Sequence, residues 1–319
     1  MTEQTTSPKI VFFGTPEFAK YCLKAIHESG YAIAGVVTAP DKKAGRGKKW
    51  NQSAVKTYCL ENNLPLLQPQ NLKAEEFIST LKTSQADLFI VVAFRMLPQA
   101  VWALPRLGTF NLHASLLPNY RGAAPINWAI INGETKTGVS TFFINENIDT
   151  GAILLQQEVA IAPEDNVSQL HDKLLAVGAP LIIDTIEGIV HQTIIPQEQQ
   201  WEGTLFEAPK LTPENTQLDW KLPLSSILQK IKGLAPYPGA WTWFDNNYQQ
   251  GRMKILVAEI ILGEHNNSIG QIVIEDRKIL VACKQGYLNC KEVQLPNKKL
   301  LSAKELLNGY HFAANACVK

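Results

Sequence analysis

KIVFFGTPEFAKYCLKAIHE, residues 9 to 28, decides the architecture. Its first six residues form a short apolar run closing on Gly14, the length of a strand buried on both faces. Thr15 and Pro16 then supply an N-cap and a first-turn proline for a helix expected to run to about Glu28. The unit is strand, turn, helix. Outward from it, further apolar runs stand at YAIAGVVT (31 to 38), ADLFIVVAF (86 to 94) and GTFNLHAS (108 to 115), separated by helical stretches such as SAVKTYCLENN (53 to 63). Such alternation predicts an α/β domain with a Rossmann-like, doubly wound, mostly parallel sheet. NAD and FAD are not expected ligands. One glycine followed by Thr-Pro stands where G-x-G-x-x-G would be needed to let a pyrophosphate approach the backbone.

From Asn166, apolar residues recur at helical spacing to near His191, which predicts a long closing helix packed on the sheet. Residues 192–209 lose that periodicity and gain Gln, Glu and Pro, the composition of a linker. Beyond 210, short β-rich runs (MKILVAEII, SIGQIVI, KILVACK and YLNCKEVQL) are separated by polar turns, as in a small barrel. The expected domains are therefore 1–191, a linker at 192–209, and 210–319.

At 319 residues and 45% apolar content the chain is long enough for two cores. Its uninterrupted apolar stretches, such as LFIVVAF at 88–94, are strand-sized and far below the ~20 residues a membrane span needs. The start MTEQTTSPK has neither a basic opening nor an apolar centre, so a cytosolic location is expected. Five cysteines, Cys22, Cys59, Cys283, Cys290 and Cys317, are odd in number and never at C-x-x-C spacing, so reduced thiols are expected, with neither a disulfide framework nor a zinc site. The six histidines show no H-x-x-x-H pairing, and no catalytic metal is expected. Net charge is only +1, but it is uneven. Residues 1–209 carry 16 basic and 20 acidic side chains, residues 210–319 carry 14 and 9, and DKKAGRGKK at 41–49 alone holds five positive charges against one negative. One basic loop and one basic domain are available to a polyanion. A solvated loop on an ordinary surface is the alternative.

The densest chemistry lies in GTFNLHASLLPNYRGAAPIN, 108 to 127. Asn111 and His113, two apart on an extended segment, point to one face. Asp149, in NENIDTG after the apolar run GVSTFFI, supplies a third group. An amide, an imidazole and a carboxylate suit acyl transfer without a protein nucleophile, because Asn111 and a protonated His113 would stabilise the charge on a tetrahedral carbonyl oxygen while Asp149 orients the imidazole or moves a proton. The alternatives are a satisfied strand histidine and a turn-forming Asp. Ser115 lacks a G-x-S-x-G elbow and is read as structural, and Pro118 as fixing the turn Ser115–Pro118.

The elements FFGTPEFA, TAPDKKAGRGKK, FNLHASLLPNYRGAAPI, IDTG and APYPGAWT, in this order and spacing, resemble the 10-formyltetrahydrofolate-dependent formyltransferases, and among them the branch that acts on methionyl-tRNA. The likeness spans nearly the whole chain. Its central stretch is common to the folate-dependent chemistry, whereas the basic loop and the C-terminal third narrow it to the tRNA branch. One departure is the run VVAFRMLP at 91–98, where many members carry Ala-Tyr-Gly. The resemblance implies a formyl donor, 10-formyltetrahydrofolate, and an acceptor, the α-amine of methionine on initiator tRNA. It implies Asn111, His113 and Asp149 as catalytic residues, with Ala93, Phe94, Arg95, Met96, Leu97, Ser115, Leu116, Leu117 and Pro118 at the folate. Lys42, Lys43, Arg46, Lys48, Lys49 and Arg121 would meet the tRNA. It also implies an OB-like C-terminal barrel, where Trp241, Trp243 and Phe244 would either stack on bases or fill the core. A sugar-nucleotide amine as acceptor, and a noncatalytic RNA-binding module, are the rival readings.

Overall fold

The computed structural model describes residues 7–44, 49–201, 203–247 and 249–319. The chain divides into two compact units, one of residues 1–122, 137–159 and 172–207, the other of 123–136, 160–171 and 208–319.

The first unit is built on seven strands: β1 (Lys9–Gly14), β2 (Ala32–Val37), β3 (Leu66–Leu67), β4 (Leu88–Val92), β5 (Thr109–His113), β6 (Lys136–Phe143) and β7 (Ile153–Ala160). Their spatial order is β7-β6-β5-β4-β1-β2-β3. From β5 to β3 every pairing is parallel, and β6 joins β5 antiparallel. The sheet is mostly parallel, as expected. β1 and β4 are apolar at every position beyond Lys9 except Gly14 because both faces are covered. On one face Val11, Phe13, Phe89 and Val91 form a core with Phe77, Leu81, Leu97 and Val101.

Helix Glu17–Glu28 ends where the sequence predicts, but it starts differently. Pro16 occupies the N-cap position, with φ −79° and ψ −178°, and no side chain caps the helix. The expected Thr15 cap is therefore replaced by an extended proline, whose carbonyl accepts from Lys20 N at 3.0 Å. The long helix runs Val167–Val190. At its start Asn166 Oδ1 accepts from Gln169 N (3.1 Å) and Gln169 Oε1 from Asn166 N (2.9 Å), the reciprocal capping that ties down two orphan amides. Gly178 brings this helix against the sheet, since a Cβ there would lie 3.1 Å from Leu112 Cδ2 in β5. Thr185 Oγ1 meets Thr141 Oγ1 of β6 at 2.9 Å.

In the second unit, antiparallel strands lie in the order Ile272–Glu275, Lys278–Cys283, Gly286–Gln294, Gln249–Leu262, Ala240–Asn246 and Cys317–Val318. The last strand turns back to the first: Ile272 N donates to Ala316 O (2.9 Å) and Val318 N to Gly270 O (2.8 Å). A nearly closed barrel results, and closure removes most exposed strand edge. Helix Leu224–Leu234 lays Leu224, Ile227, Ile231 and Leu234 on a core with Phe244, Met253, Ile255, Ile279 and Leu288. All five cysteines are free, and burial pushes the Cys59 and Cys283 thiols up to about 11. Among the described residues no helix is long and apolar enough to cross a membrane.

Candidate active site

The register sets three strand ends in a row, because Gly14 pairs with Val92 and Val92 with Leu112. In an open parallel sheet that carboxyl edge is the ligand edge. β5 is central there, bonded on one side to β4 and on the other to β6. Its alternation turns Leu112 toward Gly178 of the long helix, so Asn111 and His113 share the opposite face.

The His113 imidazole is buried and Nε2 lies 2.8 Å from the Tyr120 carbonyl oxygen. A carbonyl only accepts, so Nε2 carries the hydrogen and the ring is oriented. Nδ1 then faces Asp149 Oδ2 at 3.7 Å, an ion-pair distance too long for a direct hydrogen bond. The same Oδ2 accepts from Gly122 N at 2.9 Å. Asp149 itself sits at φ +53°, in the left-handed region. Asn111 Oδ1 is buried without a hydrogen-bond partner, a polar group left for a ligand in the middle of the sheet. The three groups marked by the sequence thus converge. Asn111 and His113 share a strand face, and Asp149 meets the imidazole.

The turn after β5 is held by one hydroxyl. Ser140 Oγ donates to Ser115 O (2.6 Å) and accepts from Leu117 N (3.0 Å) and Gln156 Nε2 (2.8 Å). The Ser115 hydroxyl donates to Asn119 O (2.7 Å), which commits it to the turn. Leu117 and Pro118 are buried, while Leu116 packs against Gly138.

Ala93 follows β4 at φ +47° and starts the 93–97 run. Phe94 tilts edge-on to Phe13, with ring centroids 5.8 Å apart, and Leu97 is buried. Met96 is 65% exposed. Arg95 donates to Pro69 O (2.5 Å) and Gln70 O (2.9 Å), which spends its guanidinium on backbone carbonyls.

Arg46 and Lys48 lie outside the described residues, as do the side chains of Lys43 and Lys49. The backbone on either side forms a two-stranded ribbon, Lys42–Ala44 with Lys49–Asn51, on which Lys42 is exposed. Asp41 anchors its base through Lys56 Nζ (2.6 Å), whose hydrogen bond, with that of Gln68, holds the carboxyl below its usual range. Sequence reasoning missed Trp50, 67% exposed on this ribbon. Arg121 is half-buried, and its Nε (3.1 Å) and Nη2 (2.5 Å) both donate to Gln199 Oε1. Gln199 was also missed, since its segment has no periodicity to place it. In the barrel, Phe244 is core, Trp243 is exposed, and the Arg252 guanidinium lies 4.2 Å from the Trp241 ring centroid. Among the described residues no group of three His, Cys, Asp or Glu side chains is arranged to hold a metal.

A mostly parallel sheet with Asn, His and Asp gathered at its carboxyl edge stands in a chain that also carries an antiparallel barrel, and the family profiles it matches are those of the formyl transferases. The family profile described as "Formyl transferase" matches residues 8–186, and "Formyl transferase, C-terminal domain" matches 210–311. The methionyl-tRNA formyltransferase of Flavobacterium johnsoniae is 50% identical over 310 residues, covering 97% of this chain and 98% of its own. That of Bacteroides thetaiotaomicron is 48% identical, covering 96% of each. The chain belongs to the methionyl-tRNA formyltransferase family. Among solved structures, an N-formyltransferase of Helicobacter canadensis, in complex with folinic acid and dTDP-3-aminofucose, superposes with a TM-score of 0.61 at 18% identity, covering 89% of this chain and 98% of that one. HypX of Aquifex aeolicus with tetrahydrofolic acid gives 0.63 at 16%, covering 95% and 47%. At such identities the likeness is one of fold.

Proposed function

We propose that Asn111, His113 and Asp149 carry, in this chain, the reaction of its family: the formyl group of 10-formyltetrahydrofolate passes to the α-amine of methionyl-initiator tRNA, giving N-formylmethionyl-tRNA for translation initiation. The observation that carries this reading is the meeting of His113 Nδ1 and Asp149 Oδ2 beside Asn111, whose buried Oδ1 has no hydrogen-bond partner. The neutral amine attacks the formyl carbon, the bond from that carbon to the folate nitrogen breaks, and the proton lost by the amine ends on the departing nitrogen. No covalent enzyme intermediate is needed. Asn111 binds the oxygen that gains charge, an interaction worth ~3 to 4 kcal/mol when such a donor is well placed. Since Nε2 is spent on Tyr120, the imidazole works through Nδ1, where Asp149 can balance the charge of a proton in transit.

The residues present fit the folate as substrate. A buried polar group without a partner stands at the strand edge, and the 93–97 run offers backbone groups and an apolar wall for a ring. Ser115, Leu116, Leu117 and Pro118 shape the neighbouring turn. For the tRNA, the basic stretch 42–49 and the residues from 210 onward supply the positive charge, and Trp241, Trp243 and Arg252 form an outward aromatic and cationic patch. We assign 1–191 to formyl transfer, 192–209 to the connection and 210–319 to tRNA binding. We also propose a cytoplasmic location, where aminoacylated tRNA is used and where five unpaired thiols stay reduced.

The test is formyl transfer with three acceptors: methionyl-tRNA, free methionine and an amino-sugar nucleotide. Turnover is expected with the tRNA, with affinity falling as salt rises at a log-log slope of roughly 0.7 to 0.9 per phosphate contact. Preferred transfer to the sugar nucleotide would overturn the reading.

A further inference from the structure

Gln199 stands where three segments cross. Its stretch is fixed beside β7 by a paired bridge, with Ile153 N donating to Gln197 O (2.7 Å) and Gln197 N to Ile153 O (2.9 Å). From there the Gln199 Nε2 group donates to the carbonyls of Asp149 (2.9 Å) and Gly151 (2.8 Å), which uses both of its hydrogens. Its Oε1 accepts two bonds from Arg121. The residue after Arg121, Gly122, donates its N–H to the Asp149 carboxylate. One amide therefore ties the loop that carries Asp149 to the Arg121–Gly122 segment, whose Gly122 N–H holds Asp149 Oδ2.

We propose that Gln199 is a positioning residue for formyl transfer, fixing the Asp149 carboxylate against His113 Nδ1; the inference rests on the role of Asp149 given above. The loop needs such a tie. It lies beyond the end of β6, outside the ladder, and Asp149 adopts a left-handed backbone that residues with a Cβ visit rarely. Within the loop, Asn145 Oδ1 accepts from Asn147 N (3.0 Å) and Thr150 Oγ1 (3.0 Å). These shape the loop without joining it to the Arg121–Gly122 segment. Gln199 makes that join together with the Gly122 N–H, and placement of a reacting group is steep in its effect, about 100-fold in rate for a displacement of about 1 Å.

The experiment uses the full chain with Gln199→Met, which removes four hydrogen bonds at nearly constant volume, and Gln199→Glu, which keeps the acceptor for Arg121 but turns an oxygen against two carbonyls. Each is combined with Asp149→Asn. In the native background kcat is expected to fall by about 10-fold or more for both variants, with KM for folate and tRNA within about 2-fold. In the Asp149→Asn background the same substitutions are expected to change kcat by less than about 2-fold, the signature of two residues acting as a unit. Equal losses in both backgrounds, or losses confined to KM, would overturn the proposal while leaving Asp149 in place. If Asp149→Asn alone leaves kcat unchanged, the catalytic reading and this proposal fall together. Circular dichroism of each variant reports whether it folds, and Gln199→Glu serves if Gln199→Met does not.

Discussion

His113 and Asp149 face each other across 3.7 Å, yet the chain holds them by different means. His113 ends a strand bonded along both edges, with Asn111 paired to Val91 on one side and to Phe142 on the other. Asp149 hangs on a loop after the edge of that ladder, kept in place by side-chain bonds and one backbone donor from Gly122. Backbone ladders are paid for by the whole sheet and give way only with it; side-chain ties open locally. The strand therefore supplies a fixed frame for the reacting carbonyl, and the loop supplies an adjustable partner.

Hydrogen exchange gives the largest contrast. The ladder amides of 109–113 are expected to exchange only through global opening and those of 145–148 through local opening, a difference of roughly 1,000-fold or more. Equal protection would erase the distinction. Next in size, Asn111→Ala and His113→Ala are each expected to lower kcat by about 100-fold or more with the melting temperature nearly unchanged, because the ladder survives the loss of either side chain. Near-normal turnover in His113→Ala would remove the imidazole from the mechanism. Smaller again is Gly151→Ala. A Cβ there would lie 1.7 Å from the Phe143 carbonyl oxygen, so the loop must shift while β5 stays, and kcat is expected to drop by about 10-fold with ladder protection retained. Loss of protection at 109–113 in that variant would show that loop and strand open together.

The same contrast explains what the sequence discloses. Asn111 and His113 are legible because a period of two puts them on one face, and the buried runs of β1 and β4 are legible because both faces of a parallel sheet are apolar. Asp149 is marked by its loop. Gln199 is not: it meets Arg121 across 78 residues, from a stretch whose Gln and Glu content reads as linker. The start of the first helix is displaced for a similar reason, since Thr-Pro permits a proline at the cap itself when its carbonyl, rather than a side chain, meets the first turn. Strand Ala240–Asn246 was hidden among aromatics whose alternation is plain once the barrel gives it an inside, with Phe244 in and Trp243 out. Arg95 and Arg121 have partners within the chain that residue type does not disclose: Arg95 donates to the Pro69 and Gln70 carbonyls and Arg121 to Gln199.

Gly178 is where the back of the sheet bears on the front. The helix rests so closely on Leu112 that a methyl group at 178 would fit only if the leucine side chain gave by a few tenths of an ångström, and Leu112 lies between Asn111 and His113 in the chain. A side chain at 178 would have no contact with either substrate, yet it would press on the short strand from which both groups hang. The tolerance of the site is thus set partly from behind, as the clearance of a bearing sets the play of the shaft in front of it.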